Sequence, residues 1–252
     1  MNRFFTSPIP LAPVLSALTV FAWTASAALG VTLTGTVNTS PPQPADLTAS
    51  GLLDWTIWGD TSTATSTSKA PVNEKAGDAN ILGHLTDATG GLLRGGLAST
   101  QTFSFTDGTG PTTASGATYG LIFASTLDSV GTGVQLSIAG DPLVERVLRI
   151  WASGTNGSGT FTASLNGAPN VVLTSQSYTS KTPTLFTINY QPNSAGDLLT
   201  IKYVLATDTG TNAHVGFTAA AVSAVPEPVS TTLLLGGASL LLGWRRRRPV
   251  AA

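Results

Sequence analysis

The chain carries few residues able to do chemistry. It has two histidines, His84 and His214, and no cysteine. Without thiols there is no disulfide scaffold, thiolate zinc site, iron–sulfur cluster or cysteine nucleophile. Two histidines cannot complete a three-histidine zinc site, and no His-Glu-x-x-His occurs. Neither a Gly-x-Ser-x-Gly elbow nor a Gly-x-x-x-x-Gly-Lys phosphate loop is present. Each histidine lies in a Gly- or Thr-containing stretch with no acid and nucleophile beside it, so both read as packed or surface residues. A sugar hydrolase needs two carboxylates about 5–9 Å apart. The thirteen acids are scattered, and spacing nominates no pair, Asp54 with Asp60 included. No catalytic residue is assigned, and the chain reads as non-enzymatic; a secreted glycoside hydrolase is the least favoured class.

Two weaker signals remain. Asp107, Asp141, Asp197 and Asp208 fall at turns, where loops of a sandwich can hold Ca²⁺ on carboxylate and carbonyl oxygens. Turn aspartates equally serve backbone hydrogen bonds, so no metal ligand is assigned. Trp55 and Trp58 are an odd number of residues apart and would point to opposite faces of a strand. Either one lies in the core and the other offers an exposed ring for a sugar to stack on, or both lie in the core or at a sheet edge.

The elements that would position these residues are strands. Val31–Val37 alternates in period two. Similar runs are Leu52–Trp58, Gln101–Thr106, Thr118–Ser125, Val134–Ala139 and Val144–Ala152, then Thr160–Leu165, Val171–Tyr178, Leu185–Tyr190, Leu198–Leu205 and Val215–Val222. That makes about eleven strands, separated by clusters such as Asn166-Gly167 and Asp107-Gly108-Thr109-Gly110-Pro111. Within Arg146–Trp151, Leu148 and Ile150 take one face and Val147, Arg149 and Trp151 the other. Ser40–Ala49, with three prolines, and the Thr/Ser/Ala run Thr61–Ser68 read as loops. Thr accounts for 39 of 252 residues, and charged residues for only 10%, against about 25% in an ordinary domain. The fold expected is all-β: one jelly-roll-like β-sandwich over residues 28–222 with a hydroxyl-rich outside. Between Ala28 and Pro228 four Lys and three Arg face thirteen Asp and Glu, a net of −6. Such a body has no electrostatic footprint for nucleic acid.

The two ends read as addresses. Met1-Asn2-Arg3, the apolar stretch Leu11–Trp23 and Ala25-Ser26-Ala27 have the layout of a secretory signal peptide cut after Ala27. Near the C-terminus a linker, residues 223–228, ends in Pro226-Glu227-Pro228. The uncharged segment Val229–Trp244 follows, then Arg245, Arg246, Arg247 and Arg248. Sixteen residues make a helix of about 24 Å, slightly short of a bilayer core, with arginines able to snorkel across the deficit. Four arginines directly behind a span hold residues 245–252 in the cytoplasm. The sandwich is then expected on the far side of the inner membrane.

This order of Pro-Glu-Pro, apolar span and arginine cluster, opposite a signal peptide, resembles the PEP-CTERM sorting signal of Gram-negative bacteria. The resemblance covers about the last 28 residues. It implies recognition of Pro226, Glu227 and Pro228 by an exosortase, a membrane-embedded transpeptidase-like enzyme. It also implies a transient anchor over Val229–Trp244, and release to the cell surface or extracellular polymer matrix. A plain membrane anchor that is never cut has the same layout. In the body, Leu53-Asp54-Trp55-x-x-Trp58-Gly59, Phe105-Thr106-Asp107-Gly108-Thr109 and Arg149-x-Trp151 look like a group of secreted bacterial β-sandwich domains, which implies a fold and no chemistry. The expected partners are signal peptidase, an exosortase, the membrane and exopolysaccharide. A carbohydrate-binding module that uses Trp55 or Trp58 is the alternative function.

Overall fold

A computed structural model describes residues 30–225, apart from 79, 97 and 98. The expected signal peptide with Ala25 and Ala27, the Pro226-Glu227-Pro228 motif, the span and Arg245–Arg248 lie outside the described residues. The strands are β1 Thr32–Asn38, β2 Ala45–Asp46, β3 Asp54–Ile57, β4 Ser68–Lys69, β5 Asn73–Glu74 and β6 Leu85–Asp87. They continue as β7 Leu93–Gly95, β8 Thr102–Phe105, β9 Ala114–Thr118, β10 Ile122–Ala124, β11 Gly133–Ala139 and β12 Arg146–Thr155. The last five are β13 Gly157–Ser164, β14 Val171–Thr174, β15 Thr184–Gln191, β16 Leu198–Asp208 and β17 His214–Ala224. One helical turn, α1 Leu47–Ser50, follows β2. All eleven expected strands have a counterpart. The six extra ones (β2, β4, β5, β6, β7 and β9) are two to five residues long.

Two antiparallel sheets form a sandwich. In the first the order is β1-β15-β12-β17-β10-β7, with β3 also on β17 and β5 on β3. In the second it is β14-β13-β16-β11-β6-β4. Alternating residues of both meet in the main core, where Phe161 stacks on Phe186 at 4.2 Å and Tyr203 on Phe217 at 5.6 Å. Leu148, Ile150 and Ala152 of β12 point into this core, as their alternation requires. The outward face of β12 and β3 is covered as well. A small third sheet, β2-β8-β9, together with Leu47 of α1, lays Phe103 and Phe105 over Trp55, Ile57 and Trp151.

Strand β17 is therefore covered on both sides, and its composition shows it. Ala219 and Ala221 face the outer cluster, while Ala220 and Val222 face the main core. A strand pressed between two packed layers has room for little more than methyl groups. Its pairing with β12 shifts by one residue: Phe217 sits opposite Ala152 and Ala219 opposite Trp151, which leaves Thr218 extra. This bulge reverses the alternation, so Val215 and Phe217 point inward before it and Ala220 and Val222 after it.

Two crossovers between the large sheets lie at one end of β17. The β12–β13 corner turns at Asn156 (φ 48°), and the β16–β17 turn contains Asn212 (φ 62°). Both adopt the left-handed conformation that Asn tolerates better than most residues. Asn156 ties them together: its Nδ2 donates to the Thr211 carbonyl at 2.6 Å, and its own carbonyl accepts from the Thr209 amide at 2.8 Å. At the other end of β17, Arg146 pairs Ala224, Thr32 pairs Gln191, and the Val225 amide donates to the Glu145 carbonyl.

Candidate functional site

The crossover end carries a cleft of about 420 Å³. Its floor comes from three adjacent strands, because Phe123 of β10 pairs Arg94 of β7 on one side and Gly216 of β17 on the other. The His214 ring stacks on Phe123 with centroids 4.0 Å apart and planes 23° apart. The Arg94 guanidinium carbon lies 5.1 Å from the Phe123 centroid, within cation–π range. Gly96 makes this fit: a Cβ there would come within 2.4 Å of Phe123 Cε1. Lys181, Thr155 and Asn156 line the walls, and Thr61 and Thr63 stand exposed at the rim.

The electrostatics of the cleft oppose those of the body. Arg94 and Lys181 both line it, and neither is within 4 Å of a carboxylate among the described residues. Arg94 Nε and Thr155 Oγ1 are buried without a hydrogen-bond partner. His214 Nδ1 lies 2.6 Å from the Asn212 carbonyl, so the proton belongs on Nδ1 and Nε2 is left as an acceptor. Burial pushes the His214 pKa below its ordinary value, and the Arg94 and Lys181 cations push the same way against the Asn212 carbonyl and Asp128. The ring is neutral at pH 7. What the arrangement offers a ligand is a group of donors: two cations, hydroxyls and an amide.

A second polar cluster sits at the opposite end of β17, and its central carboxyl is buried. Asp54 of β3 is 1% exposed. Its Oδ2 accepts from the Ile81 and Leu82 amides at 2.8 and 2.7 Å, while Oδ1 meets no donor. Burial raises its pKa to about 7, and hydrogen bonding to the Asp78 carboxyl contributes to the rise. The proton shared with Asp78 supplies the donor that Oδ1 lacks. Asp54 is thus closed off from solvent beneath the Ile81 and Leu82 amides, whereas Asp78 is half-buried and also accepts from the Asn80 amide. Asp60 does not join it; that carboxylate caps the Ser62 amide and lies 3.7 Å from Lys69.

The expected sugar platform needs correction. Trp55 and Trp58 do take opposite faces, but both are 0% exposed. Trp58 enters the main core and donates from Nε1 to the Gly83 carbonyl at 2.8 Å. Trp55 points outward, where the third sheet buries it against Phe105 at 4.7 Å. Neither indole offers a face to a glycan.

The four turn aspartates stay apart, each with its own partners. Asp107 accepts from Thr48 Oγ1, from Trp55 Nε1 at 2.9 Å and from Lys75 Nζ. Burial would raise its pKa, but these three donors and the Lys75 charge outweigh that and lower it. Asp141 accepts from the Leu143 amide and lies 3.7 Å from Arg146. Asp197 accepts from the Ser194 amide, and Asp208 from the Gly210 amide. Among the described residues no group of three or more His, Cys, Asp or Glu is placed to hold a metal ion. His84 is exposed, whereas His214 is half-buried in the cleft wall.

Sequence reasoning passed over Arg94 and Lys181. The available signal was scarcity: Arg94 is one of three arginines in the whole body, set before two glycines. No protein-family model, curated protein or solved structure matches the chain.

Proposed function

We propose that the chain is an exported, non-enzymatic surface or matrix protein whose sandwich holds exopolysaccharide in the crossover cleft. The observation that carries this reading is the cleft's lining: threonine hydroxyls, two asparagine amides and two cations around Phe123, Leu127 and His214, gathered at one end of a sandwich whose tryptophans are all used for packing or lie outside the cleft. A volume of about 420 Å³ falls in the range of small-ligand sites, about 300–1,000 Å³. Hydroxyl and amide side chains fixed on strand ends match the alternating donors and acceptors of a sugar ring. Export rests on the two terminal signals, with signal peptidase and an exosortase as processing partners. Hydrolysis gains no support from Asp54 and Asp78, because Asp54 is buried and cannot face a substrate.

Two experiments test this. Purified protein passed over a panel of immobilised polysaccharides is expected to be retained on at least one, and Asn156→Ala is expected to weaken retention; no retention on any glycan overturns the binding role. Mass spectrometry of the mature protein from its native host is expected to show a C-terminus near Pro226–Pro228. A mature pool intact through Ala252 overturns the sorting role.

A further inference from the structure

We infer that the crossover cleft selects an acidic sugar, with the ligand's carboxylate placed against Arg94 and Lys181 and its hydroxyls against Thr61, Thr63 and Asn156. This rests on the polysaccharide reading above and narrows it to one class of ligand.

Charge placement comes first. The body has a net charge of −6, yet two of its seven cations are gathered at one cleft without a carboxylate partner among the described residues. Two cations lining one cleft without a counter-ion make it favourable for an anion. The acids around the cleft are already engaged: Asp60 lies against Lys69, and Asp128 accepts from the Ala213 amide through Oδ1. Donor geometry comes second. Arg94 is held by its strand and by the Phe123 ring, and it lines the cleft. Guanidinium N–H groups match a carboxylate better than any other acceptor of a sugar.

His214 couples this binding to pH. The charged groups around it are Arg94 on β7, Lys181 before β15 and Asp128 after β10, together with the dipole of the Asn212 carbonyl. Burial does most to hold its proton off, and the two cations add to it. A carboxylate in the cleft cancels their field, so the ring takes up a proton as the ligand binds, and affinity rises as pH falls from 8 towards 5.5.

The test uses the full chain and isothermal titration with oligomers of galacturonate, glucuronate and mannuronate, each beside its carboxyl-reduced neutral counterpart. At least one acidic oligomer is expected to bind ten-fold or more tightly than its neutral partner, and more tightly at pH 5.5 than at pH 8. Lys181→Gln, on a segment outside the strands, is expected to erase most of that preference while leaving thermal unfolding unchanged; Arg94→Gln is expected to erase it too. Equal binding of acidic and neutral oligomers, or binding of neutral glycans only, overturns this inference and leaves the polysaccharide reading standing. Binding of neither class, with none on the glycan panel, overturns both. Free acetate competing as well as the uronate oligomer would show an anion hole without sugar recognition, and would also overturn it.

Discussion

The two ends of β17 treat charge in opposite ways. At the His214 end, cations and donors face an open cleft, and the histidine among them is kept neutral. At the Ala224 end, the Asp54 carboxyl is buried on the Ile81 and Leu82 amides, and burial with the Asp78 carboxyl beside it raises its pKa to about 7. Each end has a surplus of one hydrogen-bonding role, donors in the first and acceptors in the second. The acceptor-rich end solves its problem internally with a shared proton. The donor-rich end has no such internal solution among the described residues, and the proposed ligand would supply it.

The comparison breaks if the closed end or the tryptophans between the ends prove dispensable. The largest effect is expected at Trp58→Ala. Removing a fully buried indole costs about 3–5 kcal/mol, read as a lower urea midpoint, whereas a true sugar platform would lose binding and keep stability. Asp54→Asn should follow. The raised pKa of Asp54 means that the folded chain holds a proton which the unfolded chain releases near pH 3.8. Its contribution is therefore full below about pH 3.8 and is lost as pH rises towards about 7. That slope reaches at most about 1.4 kcal/mol per pH unit for one proton. Asn keeps an acceptor for the two amides and supplies a permanent donor towards Asp78, so unfolding free energies measured from pH 4 to 7 should lose this slope.

Asp107→Ala should cost about 1–3 kcal/mol by denaturant titration, because it leaves the Trp55 indole N–H and Thr48 without their acceptor under the third sheet. The lowered pKa of Asp107 runs the other way with pH: its contribution is present above the ordinary carboxylate range and is lost as pH falls through the folded pKa. The smallest effect is expected at the open end, where Lys181→Gln should change stability by no more than about 0.5 kcal/mol. A large loss there would mean that the cleft is part of the scaffold.

The long strands were legible because alternation needs only a few residues to declare itself. In β12, Leu148 and Ile150 against Arg149 and Trp151 gave both faces correctly. The two-residue strands β2, β4 and β5 have no period to read, and their place is fixed by partners distant in sequence. Ser40–Ala49, read as a loop, contains β2 and most of the single turn α1, capped by the Asp46 carboxylate on the Ala49 amide at 3.0 Å. The odd spacing of Trp55 and Trp58 gave opposite faces, but not that both faces are covered. Phe103 and Phe105 alternate like any strand residues, and nothing local says that they roof the neighbouring sheet. The cleft was the least legible part. Arg94, Phe123, Lys181 and His214 come from four segments, each contributing a side chain or two, and only the strand order β7-β10-β17 brings three of them together.

One feature of the frame bears on how the molecule would stand. The chain enters the first sheet at Thr32 and leaves it at Val225, both beside Glu145, while the cleft opens at the far tip of β17. Eleven residues of extended strand separate the two by roughly 33 Å. A molecule moored by either tail would thus hold its mooring below and its binding mouth uppermost, turned towards the surroundings.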